Sequence, residues 1–368
     1  MELLLFHHEK WLRLYNCTPE VSQKAAPAEE DIWYGCLLIT GALFFGVLYI
    51  PCMMVLLRRD VRQRSSMKIM LALGITDFVG LFNAGLLSGV YVIYQSVFCS
   101  APLFNFITGV VATSTWCASC WICVLLAGSR CVELFSDRIH RRLFDGYRTW
   151  LWLALPLLFQ LYIALFTLPA VFTANGNMWL FDPFFGFEID YDASQPYSFG
   201  SFQFQNIPHT SNNLVTPLIL AVCYVLLCAI LWFKYTRLTV NSHDMLAIQK
   251  KVAVQAIAIC SFNFAASTFY AYVQFFPPPT YFNVIGHLSW LCCHGGPAVV
   301  YLFLNDTIRS GVRKLLRLSQ TDVQIYNMQT TTGKAAKIPP QAKKRSALVA
   351  AFVPREMMIH GRSCTEMN

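Results

Sequence analysis

The stretch VLLAGSRCVELFSDRIHRRLF, residues 124–144, changes from apolar to densely charged within a few residues. Its apolar part closes an uncharged run over 103–129, and Arg130 is the first charged residue after that run. A helix needs about 20 mostly apolar residues to cross the roughly 30 Å hydrocarbon core of a bilayer. The stretch therefore predicts a membrane-spanning helix that ends next to Arg130.

The composition of the whole chain is typical of a membrane protein. Of its 368 residues, 56% are hydrophobic and only 13% are charged, whereas a soluble protein carries about 25% charged residues. The net charge of +8 does not indicate a nucleic-acid partner, because the basic residues flank apolar runs and form no aromatic–basic face. Most of the 14 cysteines lie inside the apolar runs, where we expect them to act as small apolar side chains.

Seven stretches have the length and apolarity of membrane-spanning helices. They cover residues 33–57, 67–95, 103–129, 150–172, 214–236, 252–276 and 282–304. The sequence thus predicts an all-α membrane protein with a seven-helix bundle over 33–304, preceded by an extracellular segment, 1–32. After the bundle, apolar and basic residues alternate over 305–318 and predict an amphipathic helix. The polar, basic remainder, 319–368, is expected to be a disordered cytoplasmic tail.

The distribution of basic residues predicts the direction of the chain through the membrane. The loops 58–66, 130–149 and 237–251, the adjoining helix ends and the C-terminal region carry 25 of the 28 Lys and Arg residues. Lys and Arg concentrate in the cytoplasmic loops of membrane proteins. We therefore expect the N-terminus outside and the C-terminus inside, with Arg130 at the cytoplasmic mouth of the third span.

The expected outer side carries two further signals. Asn16, in Asn16-Cys17-Thr18, matches the acceptor pattern for N-glycosylation. Cys17 and Cys99 are the two cysteines clearly outside the spans on that side, and in an oxidising compartment they are the natural pair for a disulfide, with two separate thiols as the equal alternative.

Four residues inside or beside the spans are candidates for function. Asp77 lies deep in the second span, where a carboxylate is costly and marks either a functional site or a polar contact between helices. Arg130 either holds neighbouring helices together until a partner inserts, or extends its side chain to the interface. His287 and His294 share one face of the seventh span, as ligand contacts or as satisfied interior histidines.

Other classes of protein are less well supported by the sequence. The patterns of serine hydrolases, zinc proteases and phosphate-binding loops are missing, and neither His7-His8 nor the cysteines at 117, 120 and 123 have the further ligands that a metal site needs. We expect no enzyme activity, metal or cofactor. A transporter or channel for a small solute is the alternative function, although it would favour repeats or several intramembrane charges.

Several short motifs, in their order along the chain, resemble a known receptor family. They are YNC at 15–17, LYIPC at 48–52, SSMKIML and TDF within 65–78, SRCVELF at 129–135 and HGGPAVVYLFLNDTIR at 294–309. With the seven predicted spans, they resemble the nematode serpentine receptors of class T, which are chemoreceptor-type seven-transmembrane G-protein-coupled receptors. The resemblance extends from about residue 15 to residue 318.

The resemblance implies a set of residues for activation and coupling. They are Asp77, Ser119, Arg130, Pro297 and Tyr301. Ser129 precedes Arg130 where similar receptors have an acidic residue, so no ion pair with the preceding residue is expected. Glu133, one helical turn further on, is not assigned as a partner of Arg130.

The same resemblance implies a chemosensory receptor that binds a small molecule between the outer halves of its helices and signals through a heterotrimeric G protein. The candidate ligand contacts are Tyr91, Asn105, Phe106, Tyr270, Gln274, His287 and Trp290, with packing or an aromatic belt at the membrane surface as the alternative role. Membrane lipids and a second receptor are further candidate partners. The expected location is the plasma membrane, including the ciliary membrane of sensory neurons.

Overall fold

The computed structural model describes residues 1–15, 17, 31–173, 176–184, 204–236, 243–276 and 281–317. In this part of the chain, six helical segments are long and apolar enough to cross a membrane: Ile32–Leu56, Ser65–Ile93, Pro102–Phe135, Arg148–Phe166, Ile207–Thr236 and Gln249–Tyr272. The last segment belongs to a longer helix, His243–Phe275, and a seventh helix follows at Tyr281–Leu304. The predicted all-α fold with a seven-helix bundle is confirmed, and these helices are called the first to seventh spans below.

Shorter elements connect the spans. They are the helices Glu2–Phe6, His8–Leu14 and Asp137–Phe144, a 3-10 turn at Phe98–Ser100, and an antiparallel hairpin of strands Val171–Thr173 and Met178–Leu180. Residues 1–312 form one compact unit. A further helix covers 306–317, where the sequence predicts the amphipathic helix. The predicted disordered tail, 319–368, lies outside the described residues.

The ends of several spans differ from those predicted. The third span continues to Phe135 instead of ending at residue 129, because Leu134 is buried against Leu227 and Ala253 of the fifth and sixth spans. The fourth span ends at Phe166 instead of residue 172, since a residue before proline, here Leu168 before Pro169, disfavours helical geometry. A helix can extend beyond the bilayer or end before its apolar run does. The apolarity of the sequence alone therefore does not predict where a helix ends.

The second span contains a π-helical turn, Phe82–Leu87, in its C-terminal half. The Ser88 hydroxyl donates to the Asn83 carbonyl at 2.6 Å, and the Asn83 amide donates to the Val79 carbonyl at 3.1 Å, so side chains satisfy the displaced backbone. Within this turn, a Cβ on Gly85 would lie 2.2 Å from the Cβ of Ala42. The glycine therefore allows the first and second spans to pack backbone to backbone.

The N-terminal segment caps one end of the bundle. Trp11 and Tyr15 are buried in an aromatic cluster with Phe98, Phe106 and neighbouring apolar residues. The Met1 ammonium donates to the carbonyls of Ala164 and Leu165 at 3.0 and 3.2 Å, where the last turn of the fourth span leaves carbonyls without helical partners. A disulfide joins Cys17 to Cys99, the two cysteines that the sequence suggests as a pair.

We expect Cys99→Ser to destabilise the protein through this cap. The disulfide joins residues 82 positions apart, and closing a loop of that length corresponds to about 4 kcal/mol of chain entropy. Helices that stay inserted restrict the unfolded chain, so we expect a smaller loss, seen as a lower thermal unfolding midpoint of the purified protein. Cys17→Ser and the double variant should behave like Cys99→Ser, and Cys36→Ser, which removes a free exposed thiol, is the control. Equal midpoints for Cys99→Ser and Cys36→Ser would contradict the prediction.

Candidate functional site

Asp77 is the centre of a buried polar site between the first, second, third and seventh spans. Its carboxylate accepts hydrogen bonds from the Tyr49 hydroxyl at 2.7 Å and the Ser119 hydroxyl at 3.3 Å. Nδ1 of His294 lies 3.0 Å from the same carboxylate, and both side chains are fully buried. A buried carboxyl group is costly in a membrane span unless neighbouring side chains pair with it. The partners of Asp77 come from three other spans, so the site holds four spans together.

Two aromatic residues connect this site to a cavity nearer the capped end of the bundle. The His294 ring lies 6.3 Å from Trp116 and 6.2 Å from Trp290, in edge-to-face arrangements. Trp116 in turn contacts Tyr270 at 5.5 Å. Tyr270 and Trp290 are thus linked to His294, and through it to Asp77, by a continuous series of ring contacts and one hydrogen bond.

The cavity lies between the hairpin and the sixth and seventh spans. Its lining residues are Met178, Trp179, Phe269, Tyr270, Phe282, Asn283, Gly286, His287 and Trp290. Its volume is about 20 Å³, which is room for one water molecule or so. Ligand pockets usually enclose about 300 Å³ or more. As it stands, this cavity is too small for such a ligand, because aromatic side chains line it closely.

The predicted ligand contacts have different positions in the structure. Tyr270, His287 and Trp290 line the cavity. Tyr91 lies one layer away, with its ring 5.9 Å from that of the lining residue Trp179. The side chain of Gln274 lies outside the described residues, as does the predicted glycosylation site Asn16.

Asn105 and Phe106 have structural contacts instead of places in the cavity. The Asn105 amide donates to the Phe172 carbonyl at 3.0 Å, and its oxygen accepts from the Phe172 amide at 2.9 Å. This pair of bonds holds the first strand of the hairpin against the third span. Phe106 is fully buried beneath Trp11 and Tyr15 of the cap. In this structure the hairpin and the cap cover both side chains, and their role as ligand contacts stays a prediction.

The polar site continues from Asp77 toward the opposite end of the bundle. The ring of Tyr49 contacts that of Tyr301 at 6.2 Å, and the Tyr301 hydroxyl donates to the Met70 carbonyl at 3.3 Å. Pro297, one turn before Tyr301, lacks an N–H and so leaves a carbonyl of the seventh span without its helical hydrogen bond. The seventh span is therefore locally less constrained between its contact with Asp77 and its contact with Met70.

Arg130 is buried near this opposite end, with 7% of its surface exposed. Its Nη1 forms an ion pair with Glu133, one helical turn along the same helix. The sequence placed Glu133 one helical turn from Arg130 but did not fix the direction of its side chain, so Glu133 was not assigned as this partner. Burial lowers the pKa of the neighbouring His140, so that side chain adds no positive charge beside Arg130 at neutral pH. Nε of Arg130 makes no hydrogen bond to a described residue.

Two contributors to the site were not predicted. Tyr49 donates to Asp77, and Asn263 of the sixth span donates to the Ser119 hydroxyl at 3.0 Å and the Cys123 thiol at 3.2 Å. Asn263 could have been found, because it is an amide within an apolar span and such residues usually face the bundle interior. Tyr49 offers no such signal, since tyrosine is also common at membrane surfaces.

The seven-span bundle contains a buried polar site, an aromatic cavity toward the capped end and an ion-paired arginine toward the other end. This arrangement defines a multi-pass membrane protein of the seven-helix receptor type. Comparison with known proteins agrees. Residues 2–325 match the family described as the serpentine type seven-transmembrane G-protein-coupled chemoreceptor Srt, and the chain belongs to this family. It is also 22% identical over 310 residues to serpentine receptor class T-55 of Caenorhabditis elegans. The aligned region covers 83% of this chain and 80% of that relative.

Proposed function

We propose that this protein is a chemosensory receptor that binds a small molecule at the aromatic cavity and activates a heterotrimeric G protein at its opposite end. One observation supports this above the others: contacts run without a gap from Tyr270 through Trp116 and His294 to Asp77. From Asp77 they continue through Tyr49 to Tyr301. A ligand that moves the cavity aromatics would alter packing at the far end by this route.

The proposed orientation places the capped end outside the cell. The disulfide at that end suits an oxidising environment, and the basic loops at the other end suit the cytoplasm. We infer a place in the plasma membrane, and in sensory neurons in the ciliary membrane, where outside molecules reach the cap. Anionic lipids and a second receptor are the further partners that we propose.

Ligand binding on this proposal selects an open form over the closed one. Because the cavity holds about one water molecule, the ligand must displace Tyr270, Trp290 or Trp179 to enter. An agonist shifts a two-state protein only by binding one state more tightly than the other. The closed cavity and the Arg130–Glu133 ion pair together indicate that this structure is the resting form.

Ion pairs at the cytoplasmic end restrain the sixth span in this resting form. Lys251 of the sixth span pairs with Asp306, which begins the helix 306–317, and Arg309 pairs with the same carboxylate at 2.5 Å. On the same helix, Ile308 is fully buried, and a Cβ on Gly311 would lie 2.7 Å from Val55 of the first span. Lys251 thus connects the sixth span to a helix packed on the first span, and separation of these ends must break its ion pair.

We expect Asp306→Asn to raise signalling without ligand by roughly twofold to fivefold, the range that a half-exposed ion pair allows. The measurement is basal nucleotide exchange on a co-expressed G protein at matched surface amounts. Asp137→Asn is the matched control, because it removes the same charge from a local pair with Arg141 within one short helix. Basal signalling that rises equally in both variants would argue against a specific restraint by Asp306.

The proposed function is tested by ligand-dependent G-protein activation. The full-length chain is expressed in cells and exposed to small volatile and water-soluble metabolites, with surface labelling in parallel. We expect a concentration-dependent response that Trp290→Ala weakens, because Trp290 lies between the cavity and His294. Solute flux across the membrane without any G-protein dependence would contradict the proposal and favour a transporter.

A further inference from the structure

A second polar cluster lies inside the bundle between the third, fifth and sixth spans. The fifth span contributes Asn212, Asn213 and Thr216; Thr216 lies four residues after Asn212 and three after Asn213, so each asparagine neighbours it on the helix surface. These three side chains have exposed fractions of 3%, 1% and 0%. The third span contributes Trp116 and Cys120. We call these five residues the amide cluster.

The amide cluster is only partly hydrogen-bonded. Nε1 of Trp116 donates to Oδ1 of Asn213 at 2.8 Å, and Nδ2 of Asn212 approaches the same oxygen at 3.3 Å. Among the described residues, Oδ1 of Asn212, Nδ2 of Asn213 and Oγ1 of Thr216 have no nitrogen or oxygen partner. The Cys120 thiol, which lies beside Asn212 and Thr216, is a weak partner.

These free atoms form a specific chemical pattern. Asn212 offers an acceptor, Asn213 offers a donor, and the Thr216 hydroxyl can do either. Buried polar atoms without partners are costly, and within a bilayer no bulk water compensates them. A neutral group that both donates and accepts, such as a carboxamide or an alcohol, would satisfy all three. None of the five residues carries a charge that would pair with an ammonium or a carboxylate.

The amide cluster adjoins the aromatic cavity through one pair of rings. Trp116 belongs to the cluster, and its ring meets that of Tyr270, a cavity residue, at 5.5 Å. A planar apolar group that displaced Tyr270 would come next to Trp116 and the Asn213 amide. Cavity and cluster thus suit the two ends of one small molecule.

We propose that the amide cluster is a recognition site for the polar end of the ligand, and that this ligand is a small, uncharged aromatic or apolar molecule carrying a carboxamide or hydroxyl group. The inference rests on the proposed function, because it assumes that the protein binds a small-molecule ligand. Binding of that ligand requires no G protein. Amines and carboxylic acids of the same shape are excluded because the cluster would leave their charge without a partner in a buried site. Bound water has the same hydrogen-bonding chemistry and is the other source of such a group.

Three planar probes of one shape distinguish a site for a neutral ligand from a site for a charged ligand or for water alone. Benzamide is neutral, benzamidine is a cation and benzoate is an anion, and each is added to the purified full-length protein while its thermal unfolding is followed. We expect benzamide alone to raise the unfolding midpoint. Thr216→Val and Asn213→Leu should each weaken benzamide binding by about tenfold, the usual effect of one buried hydrogen bond.

A matched control is available on the sixth span. Thr268 is exposed on the outside of the bundle and bonds to its own helix, so Thr268→Val should leave the benzamide response unchanged. Without ligand, Thr216→Val should keep or raise the midpoint, because a methyl group replaces a buried hydroxyl whose one neighbouring partner is the weak Cys120 thiol. A site that holds only water would give no shift with any probe and a lower midpoint for Thr216→Val, which would overturn the proposal. So would an equal shift with benzamidine or benzoate.

Failure of this proposal can be told apart from failure of the proposed function. The unfolding experiment reports binding to the isolated protein, whereas the cell experiment reports G-protein activation. A cationic or anionic agonist that signals through Arg130 would overturn the ligand class and leave the receptor function standing.

Discussion

Replacing Asp77 by Ala is expected to remove most of the protein from the cell surface. The substitution leaves the Tyr49 hydroxyl, the Ser119 hydroxyl and the His294 imidazole without their shared partner in the interior of the bundle. Removing one member of a buried pair typically costs about 3–5 kcal/mol, a large fraction of the total stability of a protein. Surface labelling and the thermal unfolding of the solubilised protein measure the effect. Wild-type amounts of Asp77→Ala at the surface would show that the polar site contributes little to folding.

Asp77→Asn separates folding from signalling. An asparagine can still accept from Tyr49 through its oxygen and donate to His294 through its nitrogen, so we expect near-normal surface expression. An amide cannot form an ion pair with His294, and hydrogen bonds within an ion pair are roughly twice as strong as neutral ones. Since the structure is the resting form on the proposed function, weaker bonds should raise basal nucleotide exchange by several-fold. Unchanged basal and ligand-dependent signalling in Asp77→Asn would restrict Asp77 to a structural role.

Arg130→Ala is expected to abolish G-protein coupling while leaving the protein at the surface. Buried arginines that engage a partner often contribute 2 kcal/mol or more to binding, which corresponds to about a thirtyfold loss of affinity. In the resting form the hydrogen-bond partner of Arg130 among the described residues is Glu133 of the same helix, so its removal breaks no hydrogen bond or ion pair between spans there. The measurement is ligand-stimulated nucleotide exchange, normalised to surface amount. Arg141→Ala, which removes an exposed arginine from the same end, is the control.

Glu133→Gln tests the role of the Arg130–Glu133 ion pair by changing the acidic partner. Without the carboxylate, Arg130 is released from its ion pair and is free to meet an inserting partner, so we expect basal signalling to rise. Arg130→Ala should cancel this rise in the double variant, because the effect passes through the guanidinium. A double variant that stays active would place the effect of Glu133 elsewhere.

Much of the fold follows from the sequence because a bilayer acts on local composition. Each apolar run of about 20 residues must form a helix to satisfy its backbone hydrogen bonds, whatever the rest of the chain does. The second and seventh spans were recognisable on this ground despite their glycines. The ends of the helices were less predictable, since Phe135 and Phe166 mark where packing and Pro169, not apolarity, end a helix.

The candidate site was predictable only in part. Asp77 and Arg130 stand out because a charge is costly in or beside a membrane span. His294 was noticed as an interior histidine, but its contact with Asp77 was not predicted. Asn105 and Phe106 show the limit of this reasoning. Both lie near the expected outer end of a span, yet the hairpin and the N-terminal cap cover them.

The sequence by itself determined the class of fold, the set of spans and the sharp division between basic and non-basic ends, because these depend on residues close together in the chain. Tertiary structure decided the partners of Asp77, which are 28, 42 and 217 residues away along the chain. It also decided that the aromatic cavity is small and that Asn212, Asn213 and Thr216 keep polar atoms without a nitrogen or oxygen partner among the described residues. The physical reason is that burial and hydrogen-bond partners depend on which helices pack against each other. A local pattern of residues does not determine that packing.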